Sequence, residues 1–271
     1  MIVVTGATGN VGRPLVEALL AAGEPVTAVS RGAAELPEGA VHVRADLAEP
    51  ATLKAAFEGA DRLFLLTRDQ GLDLAPVLEV AAAAGIVRVV LLSSQRAVTR
   101  DDRSQQALEA AVTESGLEWT ILRPSGFHSN AFLWAEPVRT ARAIAAPFGD
   151  VGLPFIDPAD IAAVAAKALT EDGHAGRRYT LTGPAPVSPR EQAAAIGAAI
   201  GEPVAFEELT RDEAFARFTR FWPAEVVEGA LETLGNPTEA EREVGGEVER
   251  LLGRPPVAFA TWAERNAAAF R

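Results

Sequence analysis

Short apolar runs separated by amphipathic stretches set the rhythm of the first half of the chain. Ile2–Thr5, Pro25–Ser30, Ala40–Arg44, Arg62–Leu66, Val87–Leu92 and Glu118–Leu122 read as strands. They are continuous rather than alternating in polarity, as expected of parallel strands covered by helices on both faces. Between them, Val11–Ala22 places Val11, Leu15, Val16, Leu19 and Leu20 on one helical face and stops at Gly23. A helix through Leu53 and Phe57 ends at Gly59, Leu74–Ala84 ends at Gly85, and Arg103–Ser115 is the longest. This alternation predicts an α/β fold: a Rossmann-like, doubly wound parallel sheet.

After Arg123-Pro124 the rhythm changes. Ser125–Pro154 reads as irregular, with one helical stretch containing Trp134 and Val138. A helix is expected from Asp157, a plausible N-cap, through Ile161, Val164 and Leu169, then a strand at Arg178–Leu181. Ser188-Pro189-Arg190-Glu191 has the cap, the early proline and the acidic third position of a helix start; that helix runs to Ile200 and stops at Gly201. Val204–Leu209 suits another strand, and helices broken by prolines follow. The expected division is a nucleotide-binding domain over 1–150 and a small, mainly helical substrate lobe over 151–271. Some segments of that lobe return to the sheet, and the lobe is expected to close over the nucleotide domain.

The first strand runs into Gly6-Ala7-Thr8-Gly9-Asn10-Val11-Gly12 and then a helix. Gly6 permits a sharp turn, Gly9 lets a pyrophosphate approach the main chain, and Gly12 lets the helix pack on the strand. Gly6, Thr8, Gly9, Asn10, Val11 and Gly12 are therefore expected to bind a dinucleotide. The second strand ends in Ser30-Arg31, with no acidic residue to bind a ribose diol. An arginine there suits a 2′-phosphate, so NADP(H) is the expected coenzyme. Arg13 is a second candidate for the same phosphate. Ligands in such sheets lie beyond the carboxyl ends of strands. That rule places Asp46 and Leu47 near the adenine, although Asp46 could instead cap the next helix. It also places Leu66, Thr67, Arg68 and Ser93 along the coenzyme, and Ser94 and Gln95 at the substrate.

Composition narrows the partners. The chain has 271 residues, 48% of them hydrophobic, which is enough for a sizeable core. A net charge of −12 disfavours nucleic acid and anionic membranes as partners, leaving a small-molecule substrate. No cysteine is present, so thiolate metal sites, disulfides and cysteine nucleophiles are excluded. The three histidines, His42, His128 and His174, are too dispersed to suggest a metal site. With no leader before the first strand and no apolar run of bilayer length, a cytoplasmic protein is expected.

Several segments together resemble the NmrA-like group of atypical short-chain dehydrogenases/reductases, which includes NAD(P)H:quinone reductases and azoreductase-like members. They are Thr5–Gly12, Ser30-Arg31, Ala45-Asp46-Leu47, Leu92-Ser93-Ser94, Ser115–Pro124 with Phe127 and Asn130, Asp157–Ala163, and Leu181-Thr182-Gly183. The resemblance implies NADP(H) at the glycine loop and substrate between the nicotinamide and the Phe127–Asn130 segment. It also makes one absence informative. Most short-chain dehydrogenases protonate their product through a Tyr-x-x-x-Lys pair on the helix after strand five. The single tyrosine here is Tyr179, with no lysine four residues on. Gln105 and Glu109 fall near the dyad's place, and Glu109 is expected to be a solvated helical carboxylate. Reduction of an isolated ketone needs a positioned proton donor. A quinone or other conjugated acceptor, whose anion is delocalised, needs less help. His128, titratable near neutrality, is the candidate catalytic group, while His42 and His174 read as structural or surface. The expected function is an NADPH-dependent reductase of a conjugated small molecule. The alternative is a non-catalytic NAD(P)-binding redox sensor.

Overall fold

The computed structural model describes residues 1–33, 35–67, 69 and 71–271. Seven strands form one parallel sheet: β1 (Ile2–Thr5), β2 (Val26–Ser30), β3 (Val41–Arg44), β4 (Arg62–Leu65), β5 (Arg88–Leu92), β6 (Glu118–Pro124) and, after β7 (Ala143–Pro147), β8 (Arg177–Leu181). Their order across the sheet is β3-β2-β1-β4-β5-β6-β8, with β1 pairing β2 on one side (Ile2 with Val26) and β4 on the other (Ile2 with Arg62). The chain therefore reverses its winding at β1 and β4, which opens a crevice beyond their carboxyl ends.

The continuous apolar runs are buried as their pattern demands. Ile2, Val3, Val4, Leu63, Phe64, Leu65, Val89, Val90 and Leu91 are fully enclosed. Each such side chain contributes about 1.5–3 kcal/mol relative to exposure, which fixes the strand register. On one face Val3, Leu63, Val89 and Ile121 pack with Leu53, Phe57 and Leu78. Helices Gly12–Ala21 and Pro158–Thr170 pack against each other and against strands of the same sheet. Gly23 and Gly85, both at positive φ, end the helices Gly12–Ala21 and Ala75–Ala83.

Two compact units interleave along the chain. The first holds Met1–Pro124, Pro158–Leu181 and Glu247–Arg254. It extends past residue 150 because β8 extends the sheet beside β6 and helix Pro158–Thr170 covers it. The second holds Ser125–Asp157, Thr182–Gly246 and Pro255–Arg271, built around Ile144, Ile196, Phe259, Trp262 and Phe270. Ser125–Pro154 is more ordered than its sequence suggests. It contains a 3-10 turn (His128–Trp134), helix Ala135–Ala141 and β7, which pairs in parallel with β9 (Ala205–Leu209). Ala143-Ile144-Ala145-Ala146-Pro147 has little intrinsic strand preference, so β7 depends on its neighbour. The helix Pro189–Ile200 carries the full capping box read from its sequence, Ser188 with Glu191. Among the described residues no helix is long and apolar enough to cross a membrane.

Candidate functional site

The glycine turn has the geometry its spacing requires. Gly6 lies at φ +62, and a Cβ there would sit 2.7 Å from Leu66 Cδ2. A Cβ on Gly12 would come within 2.1 Å of the Gly6 carbonyl oxygen, so the first helical turn lies directly on the strand's exit. Gly9, Thr8 and Asn10 are exposed around this turn, while Val11 and Gly12 are buried beneath it. Thr5 ties the two strands at the crevice: Leu66 N–H donates to its Oγ1 at 2.8 Å, and that hydroxyl lies 3.0 Å from the Leu66 carbonyl. The composition of the turn fits a pyrophosphate, since a side chain at Gly6 or Gly12 would crowd its neighbours or the backbone, and one at the exposed Gly9 would stand where the phosphate approaches.

Beside the turn a cavity of about 420 Å³ is lined by Thr8 and Arg13 from the glycine segment and by Ser30, Arg31, Gly32, Ala33 and Glu35 after β2. Arg31 is exposed and has no carboxylate partner among the described residues. Its backbone is held instead, its carbonyl accepting from Arg44 Nε at 2.8 Å. Arg13 reaches the Glu35 carbonyl at 2.9 Å and lies 3.7 Å from Glu17. Two guanidiniums thus border one cavity at the tip of β2. Asp46, half-buried after β3, accepts from Ala48 N–H at 3.0 Å, a local turn bond that leaves its second oxygen for a ligand. Leu47, Leu66 and Thr67 are half-buried at their strand ends. Arg68 lies outside the described residues.

The carboxyl end of β5 departs most from expectation. Glu109 is buried at 5% exposure, not solvated. It sits one helical turn from Gln105 on helix Arg103–Glu114, and both side chains face Ser93. Ser93 Oγ donates to Glu109 Oε1 at 2.7 Å. Arg123, from β6, grips the same carboxylate with two nitrogens at 2.8 and 2.5 Å. Arg178, from β8, lies 3.7 Å from it and stacks its guanidinium over Trp119 at 4.6 Å. The arginines overcome the cost of burying the carboxylate that made a surface position the natural expectation. Sequence reasoning missed Arg123 and Arg178. The four-residue spacing of Gln105 and Glu109 was the one signal for this network. Ser94 is half-buried and its hydroxyl accepts from Arg96 N–H at 3.3 Å. Gln95 is 6% exposed, and its Oε1 has no hydrogen-bond partner among the described residues.

In the second unit, Phe127 bridges to Ile156 and is half-buried, while Asn130 is exposed with its N–H on the Phe127 carbonyl. His128 is 1% exposed, with Phe259 edge-on at 5.2 Å and Trp262 at 6.2 Å. Burial pushes its pKa down to about 4, against the opposing pull of Asp157 and the Phe155 carbonyl. Asp157 is itself paired with Arg265. His128 is therefore neutral at physiological pH, contrary to the expectation of titration near neutrality. It can form a hydrogen bond but holds no imidazolium proton to deliver. His174 is a structural group bonded to the Tyr179 hydroxyl at 2.9 Å, and His42 bonds Ser30 at 2.8 Å. No grouping of three acidic or histidine side chains suited to a metal occurs among the described residues.

Comparison with known proteins identifies the family. The NAD(P)H-binding family model matches residues 6–172. The chain is 39% identical, over its full length and 99% of the relative, to the (4-alkanoyl-5-oxo-2,5-dihydrofuran-3-yl)methyl phosphate reductase of Streptomyces griseus. It is 34% identical, over its full length and 99% of the relative, to the NAD(P)H azoreductase of Xenophilus azovorans. Its fold is similar to that of the NADPH-dependent quinone oxidoreductase of Escherichia coli in complex with NADPH, with a TM-score of 0.79 and 24% identity over 98% of this chain and 99% of that one. As its resemblance to the NmrA-like reductases implies, the chain belongs to the NAD(P)H-binding family and is an NAD(P)H-dependent oxidoreductase.

Proposed function

We propose that this protein uses NADPH to reduce a conjugated carbonyl compound, a quinone or an unsaturated ring of similar electronics, without a protein-borne proton donor at the dyad position. The observation that carries this reading is the ion pair in that place. Ser93 spends its one hydroxyl proton on Glu109, and Glu109 is held by Arg123 as a carboxylate acceptor. Neither group is an acid for a nascent alkoxide. NADPH, when bound, supplies hydride. Gly6, Gly9 and Gly12 would hold its pyrophosphate, Arg31 with Arg13 its 2′-phosphate, and Asp46 with Leu47 its adenine. An acceptor that spreads the resulting charge over a conjugated system suits a site that lacks an acid. One relative is named for a ring that is an unsaturated lactone, a member of this class; the other is named for azo compounds, whose N=N bond is also a conjugated acceptor but not a carbonyl.

The test is to follow NADPH oxidation with a panel of quinones, azo dyes and unsaturated lactones, and to compare NADPH with NADH in the wild type and R31A. The charge-assisted pairing of Arg31 predicts about 10- to 100-fold weaker NADPH binding in R31A with NADH unchanged. Equal use of both coenzymes by the wild type would remove the 2′-phosphate argument. Tight NADPH binding with no turnover on any conjugated acceptor would favour the redox-sensor alternative.

A further inference from the structure

We infer that the Gln95 carboxamide is the group that holds the acceptor's carbonyl oxygen as that oxygen takes on charge, a role that rests on the conjugated-carbonyl reading above. Elimination along a single strand end leads to this residue. Ligands in a parallel sheet meet the residues that follow the strands. After β5 these are Ser93, Ser94 and Gln95. The Ser93 hydroxyl points its proton at Glu109. Ser94 is only half-buried, and its oxygen serves the Arg96 backbone. Gln95 has the opposite character. Its backbone is fixed, N–H to the Pro124 carbonyl at 3.1 Å and C=O to Val98 and Thr99 N–H at 3.0 Å. Its side chain is 6% exposed and its Oε1 meets no protein donor among the described residues. A buried amide oxygen left unpaired costs stability.

Because Oε1 makes no hydrogen bond among the described residues, a half-turn about the terminal torsion puts the NH2 group in its place without breaking a bond of the oxygen. That group is a neutral donor in a water-poor setting, the kind that stabilises a developing oxyanion. The acceptor gains a hydride, that is, one hydrogen and two electrons. Its displaced π pair settles on the carbonyl oxygen, which the Gln95 N–H stabilises until water supplies the proton. Gln95 lowers the energy of the anion, and no protein acid is consumed.

The test uses the full-length wild type, Q95L and Q95E. Removing one oxyanion donor lowers kcat by about 100-fold in Q95L while NADPH affinity stays within about twofold. In Q95E the introduced carboxylate opposes the anion at neutral pH. Its activity climbs as the pH falls and the carboxyl becomes a donor, a profile that a merely structural role does not produce. An arm that needs no turnover titrates 4-nitrophenol onto protein saturated with NADP+. The wild type binds the phenolate in preference to the phenol and lowers the bound ligand's pKa, seen by absorbance, and Q95L loses that preference. Unchanged kcat and unchanged phenolate preference in Q95L would overturn the role. If the wild type reduces no conjugated acceptor, the acceptor reading fails and takes this role with it. Turnover with an indifferent Q95L sinks the role alone.

Discussion

Lowering the pH should unload His128 from its buried site at a cost that can be worked from its environment. Its ring is 1% exposed between Phe259 and Trp262, and desolvation pulls its pKa from 6.5 to about 4. The unfolded chain binds a proton near the ordinary value, whereas the folded chain resists it until about pH 4. Above 6.5 both states hold a neutral ring and the full stability is present. Between the two values only the unfolded state is protonated, so stability is lost as the pH falls. At about 1.4 kcal/mol per unit, the total approaches ~3 kcal/mol once the pH is below both values. Equilibrium urea unfolding of wild type and H128N, at several pH values from neutrality down to roughly 4.5, isolates the contribution of His128 and its neighbour Asp157, because groups remote from the ring titrate alike in both proteins. The two stability curves should converge as the pH falls, with the wild type losing more. Parallel curves would refute the burial argument. The same neutrality predicts that the pH–rate profile shows no break near 6.5 that H128N abolishes.

Three further substitutions probe the turn and the ion pair. G12A drives a methyl to within 2.1 Å of the Gly6 carbonyl oxygen, so the backbone must move, at about 1–3 kcal/mol of stability by urea titration and with loss of NADPH binding. G9A meets only that same oxygen, at 3.3 Å, and should keep near-wild-type stability yet weaken NADPH in calorimetry by occupying the phosphate's approach. A G9A protein that binds NADPH normally would dislodge the pyrophosphate from this turn. E109A leaves Arg123 without its buried partner and should destabilise the first unit by about 3–5 kcal/mol. In a cycle of E109L, R123M and E109L/R123M the double variant's loss should be much smaller than the sum of the two single losses, and strict additivity would show that the pair is not coupled.

Much of the fold was legible because burial leaves a direct trace in sequence. Ile2–Val4, Leu63–Leu65 and Val89–Leu92 are apolar throughout because both faces are covered, and Gly23 and Gly85 end helices because only glycine takes their φ without strain. The capping box at Ser188 was legible for the same local reason. β7 was not. Its alanines carry no strand preference of their own, and its pairing with β9 joins residues far apart in the chain. The site divides along the same line. The glycine turn and the Arg31 position follow from spacing within one strand–turn–helix segment. The environment of His128 depends on Phe259 and Trp262, which no local pattern ties to it.

Glu109 shows why such non-local terms matter for chemistry. By type and position on an amphipathic helix it reads as a surface carboxylate, and that would hold if the helix faced only apolar neighbours. Arg123 comes from β6 and Arg178 from β8, so the charge that permits burial exists only once three elements are assembled. The same assembly settles what Ser93 can do. A hydroxyl has one proton, and a carboxylate held by a guanidinium claims it more strongly than a neutral carbonyl could. On the proposed reading, the absence of a Tyr-Lys pair removes an acid, and the pair of Glu109 with Arg123 also keeps Ser93 from substituting. A fold that reduced isolated ketones would need that proton returned. On the function proposed above, a preference for acceptors that delocalise the new charge follows from the ion pair, and not merely from the missing tyrosine.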